Sequence, residues 1–471
     1  MSFSFVSQQF PEQIALVADG RPFLKYAELH KAVQKLARQL VDRQLVFLIG
    51  ENDLSTVTFY LACMASGAVP LLLGKGISAR ALVQLMQVYD PAYIFMPADS
   101  LGEMAGFAVL WQEGEYAMCH RPAAKIKVLH SDLAVLLATS GSTGSPKLVR
   151  LSGVNLRSNA ESIVDYLGIT ADDRAITSLP INYSYGLSVI NSHLMAGASL
   201  VLTNRSLMDA NFWRQVNEHN VTSFSGVPYS YEMLLKLRFA RINIPSVRTL
   251  TQAGGRLDPA KLKQVNEICR VKNIQFFTMY GQTEATARIA YLPPSDVERK
   301  LGSIGQAIPG GRLWIEDEHG QVLKTPGVVG ELVYEGTNVS MGYAECPEDL
   351  ALGDVNNGVL HTGDLARFDE DGYFFIEGRM HRFLKVFGIR VSLDAVEQIL
   401  YDKGLTCAAH GRDDLLVLSV VEKPDLAVAE LRVFMATSLG VHPSSIQIQP
   451  VPELPRLTTG KVDYQCLNLL R

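Results

Sequence analysis

Charge is scarce and nearly balanced in this chain of 471 residues: Asp, Glu, Lys and Arg make up 19%, hydrophobic residues 48%, and the net charge is -5. A surface built for nucleic acid usually shows a basic excess or stripe, so no nucleic-acid partner is expected. Nor is disorder, because ample apolar residues are present and no repeat or low-complexity tract is visible. The six cysteines, at 63, 119, 269, 346, 407 and 466, form no CxxC or CxxxC pair, which argues against a zinc site or a disulfide framework. The opening MSFSFVSQQFPEQ lacks the basic start and apolar core of a signal peptide, so a cytoplasmic location is expected. Long hydrophobic runs are absent but for one, Thr56 to Gly74. It is interrupted by Ser66, Gly67 and Pro70, and so reads as a buried helix, TVTFYLACMAS, turning at Gly67 into a strand, VPLLLG; a spanning helix is the alternative, and no membrane span is expected.

What is present is length and alternation. At roughly 150 residues per domain the chain holds about three structural units. Strand-length apolar runs, LVFLI (45–49), ASLVLT (198–203), TSFSGVP (222–228) and IQFFTMYG (274–281), alternate with helix-periodic stretches such as residues 26–42 and 229–240. The pattern predicts an α/β layer architecture. After residue 311 the texture becomes short strands with turn residues, a β subdomain over about 311–376. Beyond Gly378 a small α+β unit begins: FLKVFGIRV, a helix SLDAVEQILYDKG, a strand LLVLSVV, a helix DLAVAELRVFMATSLG and a last strand SIQIQPV. The predicted organisation is a large N-terminal domain over 1–376, a hinge at 377–382 and a small mobile C-terminal domain over 383–471.

The chemistry concentrates first in LLATSGSTGSPKLVRL (136–151), where an apolar strand runs into small and hydroxylated residues and then Pro146-Lys147. Small residues let backbone N–H groups converge on phosphate oxygens, hydroxyls add donors and the lysine adds charge. The spacing is not that of a Walker loop, and by composition alone a flexible Ser/Gly surface loop remains the alternative.

The rest of an ordered set follows: T-S-G-S-T-G-S-P-K (139–147), Y-G-Q-T-E (280–284), G-E-L (330–332), H-T-G-D-L (361–365), G-R (378–379), K-V-F-G-I-R-V (385–391) and L-P-R-L-T-T-G-K (454–461). Together they resemble the superfamily of acyl-CoA synthetases, peptide-synthetase adenylation domains and luciferases, over nearly the whole chain. The resemblance implies an ATP- and Mg²⁺-dependent enzyme that converts a carboxylic acid into an acyl-adenylate and passes the acyl group to a phosphopantetheine thiol, on CoA or on an acyl or peptidyl carrier protein. By position it implies that Thr139, Ser140, Gly141, Ser142, Thr143, Gly144 and Lys147 cover the ATP phosphates and that Glu284 holds Mg²⁺ with Thr283 beside the phosphates. Tyr280, Gly281 and Gln282 would flank the adenine on one edge, with Gly254, Gly255 and Arg256 on the other. Asp364 would accept both ribose hydroxyls, Arg379 would support the sugar, and Lys461 would reach into the adenylation site.

These roles make chemical sense: a carboxylate attacking the α-phosphorus brings two anions together, which demands cations and oriented donors. Outside such a set Glu284 reads as a solvated charge, Asp364 as a turn residue, Lys461 as a surface lysine and Tyr280 as a core aromatic. The chain also departs from the family pattern. Leu148 follows Pro146-Lys147 where glycine is usual, Gly153-Val154-Asn155 replaces a His-x-Asn, and His381 stands at the hinge where Asp or Lys is usual, making the hinge's response to pH its own.

For the acid, the segment LPINYSYGL (179–187) places Tyr183 where amino-acid-activating members carry an aspartate for the substrate ammonium. A buried ammonium without a carboxylate is costly. An aryl or acyl acid without an α-amino group is therefore expected, lying against Tyr183, Gly186, Val227 and Pro228; Tyr183 as a plain wall residue is the alternative. Gly388, in KVFGIR, would line the thiol tunnel. An amino-acid adenylation enzyme and a catalytically silent nucleotide- or acyl-binding protein stay open as other readings.

Overall fold

The computed structural model of the chain describes residues 4–100, 106–122, 128–138, 147–380, 382–423, 427–457 and 459–469. The chain divides into two compact units, Met1–Leu313 with Tyr334–Leu360, and Trp314–Val333 with His361–Arg471. The expected hinge at 377–382 falls inside the second unit.

Two large sheets build the first unit. One is nine-stranded, in the order Gln306–Ala307, Ala290–Leu292, Gln275–Tyr280, Thr249–Gln252, Ser223–Gly226, Arg174–Ile176, Ser199–Leu202, Ile14–Ala18, Leu24–Lys25. From Gln275–Tyr280 to Ile14–Ala18 every neighbour is parallel, and only the edges are antiparallel. The other sheet is eight-stranded and centres on Leu45–Gly50, which is parallel to both Val69–Gly74 and Tyr93–Pro97 and buried at every residue. A strand covered on both faces reads as a continuous apolar run, which is why LVFLI is legible.

Helices fill the space between the sheets. Phe59 on Leu54–Ser66, Leu156 on Gly153–Leu167 and Ile190 on Ser184–Met195 share one apolar cluster with Leu16 and Leu200 of the first sheet and Leu48 and Leu72 of the second. Each such side chain stabilises by roughly 1.5–3 kcal/mol on burial. The uncharged run is one of these helices: Asp53 caps Leu54–Ser66 by accepting from the Thr56 N–H at 2.8 Å, Gly67 ends it at φ 80°, and Val69–Gly74 follows as a strand. No described helix is long and apolar enough to cross a membrane.

Two helices are shorter than their periodicity predicts. The first runs Tyr26–Ala37 and then turns through residues 38–40, with Gln39 N–H bonded to the Leu36 carbonyl at 2.9 Å. The other is Pro228–Lys236, ended where Arg238 takes a left-handed conformation at φ 58° that no helix continues through.

The short strands after residue 311 are present as Gly311–Glu316, Val322–Leu323, Gly330–Gly336, Val359–Phe368 and Phe374–Arg379. In the second unit the strands Phe383–Val386 and Ile389–Ser392 form a hairpin, and Ser392 caps the helix Leu393–Asp402. Leu415–Val421 lies between Cys407–Arg412 and Ile446–Val451, and Gly440 ends the helix Val428–Leu439. The strand Cys407–Arg412 went unread because CAAHGR is neither β-branched nor alternating. The architecture is mixed α/β with layered sheets, as the alternation predicts.

Candidate active site

In the nine-stranded sheet the parallel strands Arg174–Ile176, Ser223–Gly226, Thr249–Gln252 and Gln275–Tyr280 are adjacent, so the loops after their carboxyl ends stand side by side. Such an edge is where open parallel sheets bind ligands. The loops are residues 177–183, 227, 253–258 and 281–289, and they carry most of the described candidates from the first unit.

The last loop is wound tightly. A Cβ on Gly281 would lie 1.8 Å from the Ala287 carbonyl oxygen, so only glycine fits, and Thr286 and Ala287 sit at φ 58° and 121°. Backbone strain of this kind survives only when neighbours over-determine it. Asn338 does so. Its Nδ2 donates to the carbonyls of Ala285 and Arg288, each at 2.7 Å, its carbonyl accepts from the Thr286 hydroxyl at 2.6 Å, and its Oδ1 accepts from the Tyr334 hydroxyl at 2.7 Å. Asn338→Ala strands buried carbonyls, each costing about 1–3 kcal/mol, and releases the turn that presents Thr283 and Glu284. We expect denaturant unfolding to show a loss of about 2 kcal/mol or more, with KM for ATP raised. An unchanged midpoint would remove Asn338 from this role.

Glu284 and Lys147 are brought together by a residue that sequence reading missed. The Tyr343 hydroxyl donates to Glu284 Oε1 at 2.6 Å, and Lys147 Nζ stands 5.6 Å from the centroid of the same ring. Burial, reinforced by the Glu284 charge, raises the Tyr343 hydroxyl above its ordinary pKa and keeps it a donor. Lys147 also pairs with Glu345 at 2.7 Å, with both side chains about half exposed. Such a pair contributes roughly 0–1 kcal/mol and is easily exchanged for a phosphate. Tyr343 and Glu345 lie about 60 residues from Glu284 and carry no motif, so nothing local signals them. Magnesium is usually held by one or two carboxylates together with phosphates and water. Glu284, oriented through Oε1 with Oε2 left for a cation, fits that donor set. The loop residues Thr139, Ser140, Gly141, Ser142, Thr143 and Gly144 lie outside the described residues.

The residues expected to form the acyl and adenine walls also meet. Tyr183 precedes the helix Ser184–Met195, and its hydroxyl stands 2.5 Å from where a Gly254 Cβ would be; Gly254 also needs its φ of 82°. Val227 Cγ1 lies 3.1 Å from that same point, and Pro228 Cγ 3.2 Å from a Gly255 Cβ. Burial pushes the Tyr183 hydroxyl up to about 12, so the wall is neutral. The Ser184 and Thr283 hydroxyls are 3.2 Å apart, which links this wall to the Glu284 turn. Gln282 Nε2 donates to the Tyr280 hydroxyl at 3.2 Å, and Arg256 is exposed. Gly186 is a packing glycine: a Cβ there would meet the Pro180 carbonyl oxygen at 2.2 Å. Leu148 is fully buried and paired with Ala344, which gives that departure a packing reason, and Asn155 closes a capping box with Ser152.

In the second unit Asp364 and Arg379 are directly paired across the strands Val359–Phe368 and Phe374–Arg379, with Arg379 Nε 3.3 Å from Asp364 Oδ1. Asp364 is buried and Arg379 exposed. Glu331 of the GEL motif accepts from the Gly363 N–H at 3.1 Å, and the Thr362 hydroxyl donates to the Leu332 carbonyl at 2.7 Å, so two motifs that looked separate are one support. His381 lies outside the described residues; next to it Arg382 is bonded to Asp394, Glu397 and Tyr464. Burial lowers the Arg382 pKa, but Glu397 more than offsets this and raises it. Gly388 has φ 84° in the two-residue turn of its hairpin, with open space where a Cβ would point. Lys461 is exposed in a small turn, its carbonyl accepting from the Leu457 N–H at 2.8 Å.

Known proteins carry the same architecture. The chain is 27% identical to the 2-succinylbenzoate–CoA ligase of Listeria monocytogenes serotype 4b (strain F2365), over 97% of this chain and 96% of that protein. It is 30% identical to the 2-succinylbenzoate–CoA ligase of Bacillus subtilis (strain 168), over 84% of this chain and 80% of that one. The solved structure of O-succinylbenzoate coenzyme A synthetase (MenE) from Bacillus subtilis, in complex with ATP and magnesium ion, superposes with a TM-score of 0.76 at 24% identity, covering 97% of this chain and 96% of that chain. The profile of the AMP-binding enzymes matches residues 3–344, and with the glycine-hydroxyl loop, the Glu284 turn and this fold the chain belongs to the AMP-binding enzyme family.

Proposed function

We infer that the chain is an AMP-forming acid–thiol ligase. In the first half-reaction the substrate carboxylate oxygen attacks the α-phosphorus of ATP, forming acyl-AMP as pyrophosphate leaves. In the second a thiolate attacks the acyl carbonyl and AMP leaves. The observation that carries this reading is the convergence of Lys147, Tyr343, Glu284, Thr283, Ser184 and Tyr183 beside the carboxyl ends of the parallel strands.

In the roles proposed, the 139–144 loop and Lys147 hold the β- and γ-phosphates, and Thr283 stands beside them. Glu284 holds Mg²⁺, which when bound neutralises phosphate charge. Tyr280, Gly281 and Gln282 with Gly254–Arg256 take the adenine, Asp364 and Arg379 the ribose. Lys461 serves adenylation, Gly388 the thiol, and rotation occurs at 377–382 between domains 1–376 and 383–471. The thiol we favour is that of CoA, since the relatives named above are CoA ligases; a carrier protein is the alternative acceptor. The cytoplasm is the proposed setting, in keeping with six free cysteines.

The acid we propose lacks an α-amino group, because the wall presents the neutral Tyr183 where an ammonium would need a carboxylate. Acid-dependent pyrophosphate exchange across aryl, alkyl and amino acids, with thioester formation followed on CoA and on a carrier protein, tests the reading. Exchange confined to amino acids would replace it with the amino-acid reading, and no exchange at all with the silent-protein reading. Tyr183→Ala should reorder the accepted acids by about 1–3 kcal/mol per lost contact while the ATP requirement stays. An unchanged order would take Tyr183 out of the pocket.

A further inference from the structure

Two arginines in the first unit are fully buried, and they differ in one respect. Arg150 is saturated by backbone: its guanidinium donates to the carbonyls of Tyr343, Met341, Leu352 and Gly353. Arg288 is not. At 2% exposure it enters no ion pair among the described residues, and its Nε is sealed without a hydrogen-bond partner. Its guanidinium carbon lies 4.0 Å over the ring of Tyr185, its guanidinium donates to the Tyr166 hydroxyl, and it stands near Tyr183. All are neutral phenols: burial pushes the Tyr166 and Tyr183 hydroxyls up to about 12, against the pull of the Arg288 charge.

Arginine keeps its charge inside proteins, and a buried charge with no counter-ion is destabilising by several kcal/mol unless something supplies one. Cation–π contact with Tyr185 offsets only part of that. The position is also strained into place, since Thr286 and Ala287, just before it, have φ 58° and 121°. It adjoins the proposed acyl wall: Tyr185 meets Tyr183 edge-on with centroids 6.2 Å apart, and Glu284 lies four residues upstream. A small cavity beside the same turn is lined by Asn159, Ser188, Asn191 and Thr286 among others, and Asn159, which donates to the Arg288 carbonyl at 3.5 Å, has its own Oδ1 buried without a partner.

We propose that the acid activated here carries a second anionic group, remote from the carboxylate that is adenylated, and that Arg288 is its counter-ion. This rests on the ligase reading and narrows its substrate class to dicarboxylic acids, aryl or aliphatic. The second carboxylate undergoes no bond change; it supplies the counter-ion to the buried Arg288 guanidinium.

The test uses matched acids, butyrate against succinate, benzoate against phthalate, and 3-phenylpropanoate against its 2-carboxy derivative, with pyrophosphate exchange read as kcat/KM. The wild type should favour the diacid in at least one pair. Arg288→Met should lower that preference about a hundredfold, as a site built for a polar group does when the match is lost, while uncharged acids lose far less. Arg288→Lys, which keeps the charge but not the fork, should fall between. Without substrate, Arg288→Met should melt at or above the wild-type temperature, because it removes a buried charge that enters no ion pair among the described residues. Preference for the monoacid in every pair, or an unchanged ranking in Arg288→Met with a lower melting temperature, would make Arg288 a structural cation and overturn the proposal with adenylation intact. Absence of exchange with every acid, with ATP binding retained, would instead overturn the ligase reading and this one with it.

Discussion

Lys461→Ala should nearly abolish acid-dependent pyrophosphate exchange, by roughly 10²–10³ as for loss of one preorganised donor, and leave acyl transfer from a supplied acyl-adenylate to a thiol close to the wild-type rate. Lys461 belongs to the second compact unit, whereas Thr283 and Glu284 belong to the first. In the proposed mechanism the rotation at 377–382 brings this lysine to the α-phosphate for adenylation alone. Exposed in a turn, Lys461 takes no part in a described apolar core, so the alanine variant should fold. Gly388→Trp should show the reverse pattern by crowding the thiol approach. Because Gly388 sits at φ 84°, Gly388→Ala is needed to separate backbone strain from bulk. If both lysine and glycine variants lose both half-reactions equally, the two-conformation mechanism is wrong for this protein.

Glu284→Gln should weaken use of Mg-ATP by about a hundredfold or more, the scale on which removal of a preorganised electrostatic group acts, and leave binding of the acid nearly untouched. Glutamine keeps an oxygen to accept from Tyr343, now at 2.6 Å from Oε1, so the turn should hold. The backbone carbonyl of residue 284 also remains bonded to the Ser340 N–H at 2.8 Å. What is lost is negative charge at a site that a divalent cation needs. Titration calorimetry with the acid alone, set beside KM for Mg-ATP, separates the two. Equal loss of both, or a drop in melting temperature that accounts for the loss of activity, would count against the metal role.

Much of this protein was readable because its chemistry is written in contiguous stretches. A loop of glycines and hydroxyls, a YGQTE strand end or an HTGD turn works through backbone spacing that neighbours in sequence set themselves, so the residues announce the function wherever they fold. The same holds for Leu45–Gly50, buried at every residue, and for Leu54–Ser66, buried from Thr56 to Met64, since such burial requires an uncharged run. The order of residues along the chain thus determined the layered α/β class, the buried rather than spanning helix, and the family resemblance.

Tertiary structure decided whatever depends on partners distant in sequence. Tyr343 joins Lys147 to Glu284 across a gap no motif spans, and Asn338 holds a turn that begins at residue 281. Glu331 supports Gly363, making one element of two motifs. The edge strand Cys407–Arg412 exists because Leu415–Val421 offers it a ladder, not because CAAHGR favours extension. Arg288 is the clearest case. Its sequence neighbours are ordinary, and what sets it apart is that a fully buried guanidinium enters no ion pair among the described residues. A missing counter-ion is a property of the whole packed surroundings, since Coulomb and desolvation energies sum over every group nearby in space, and no stretch of sequence contains that sum.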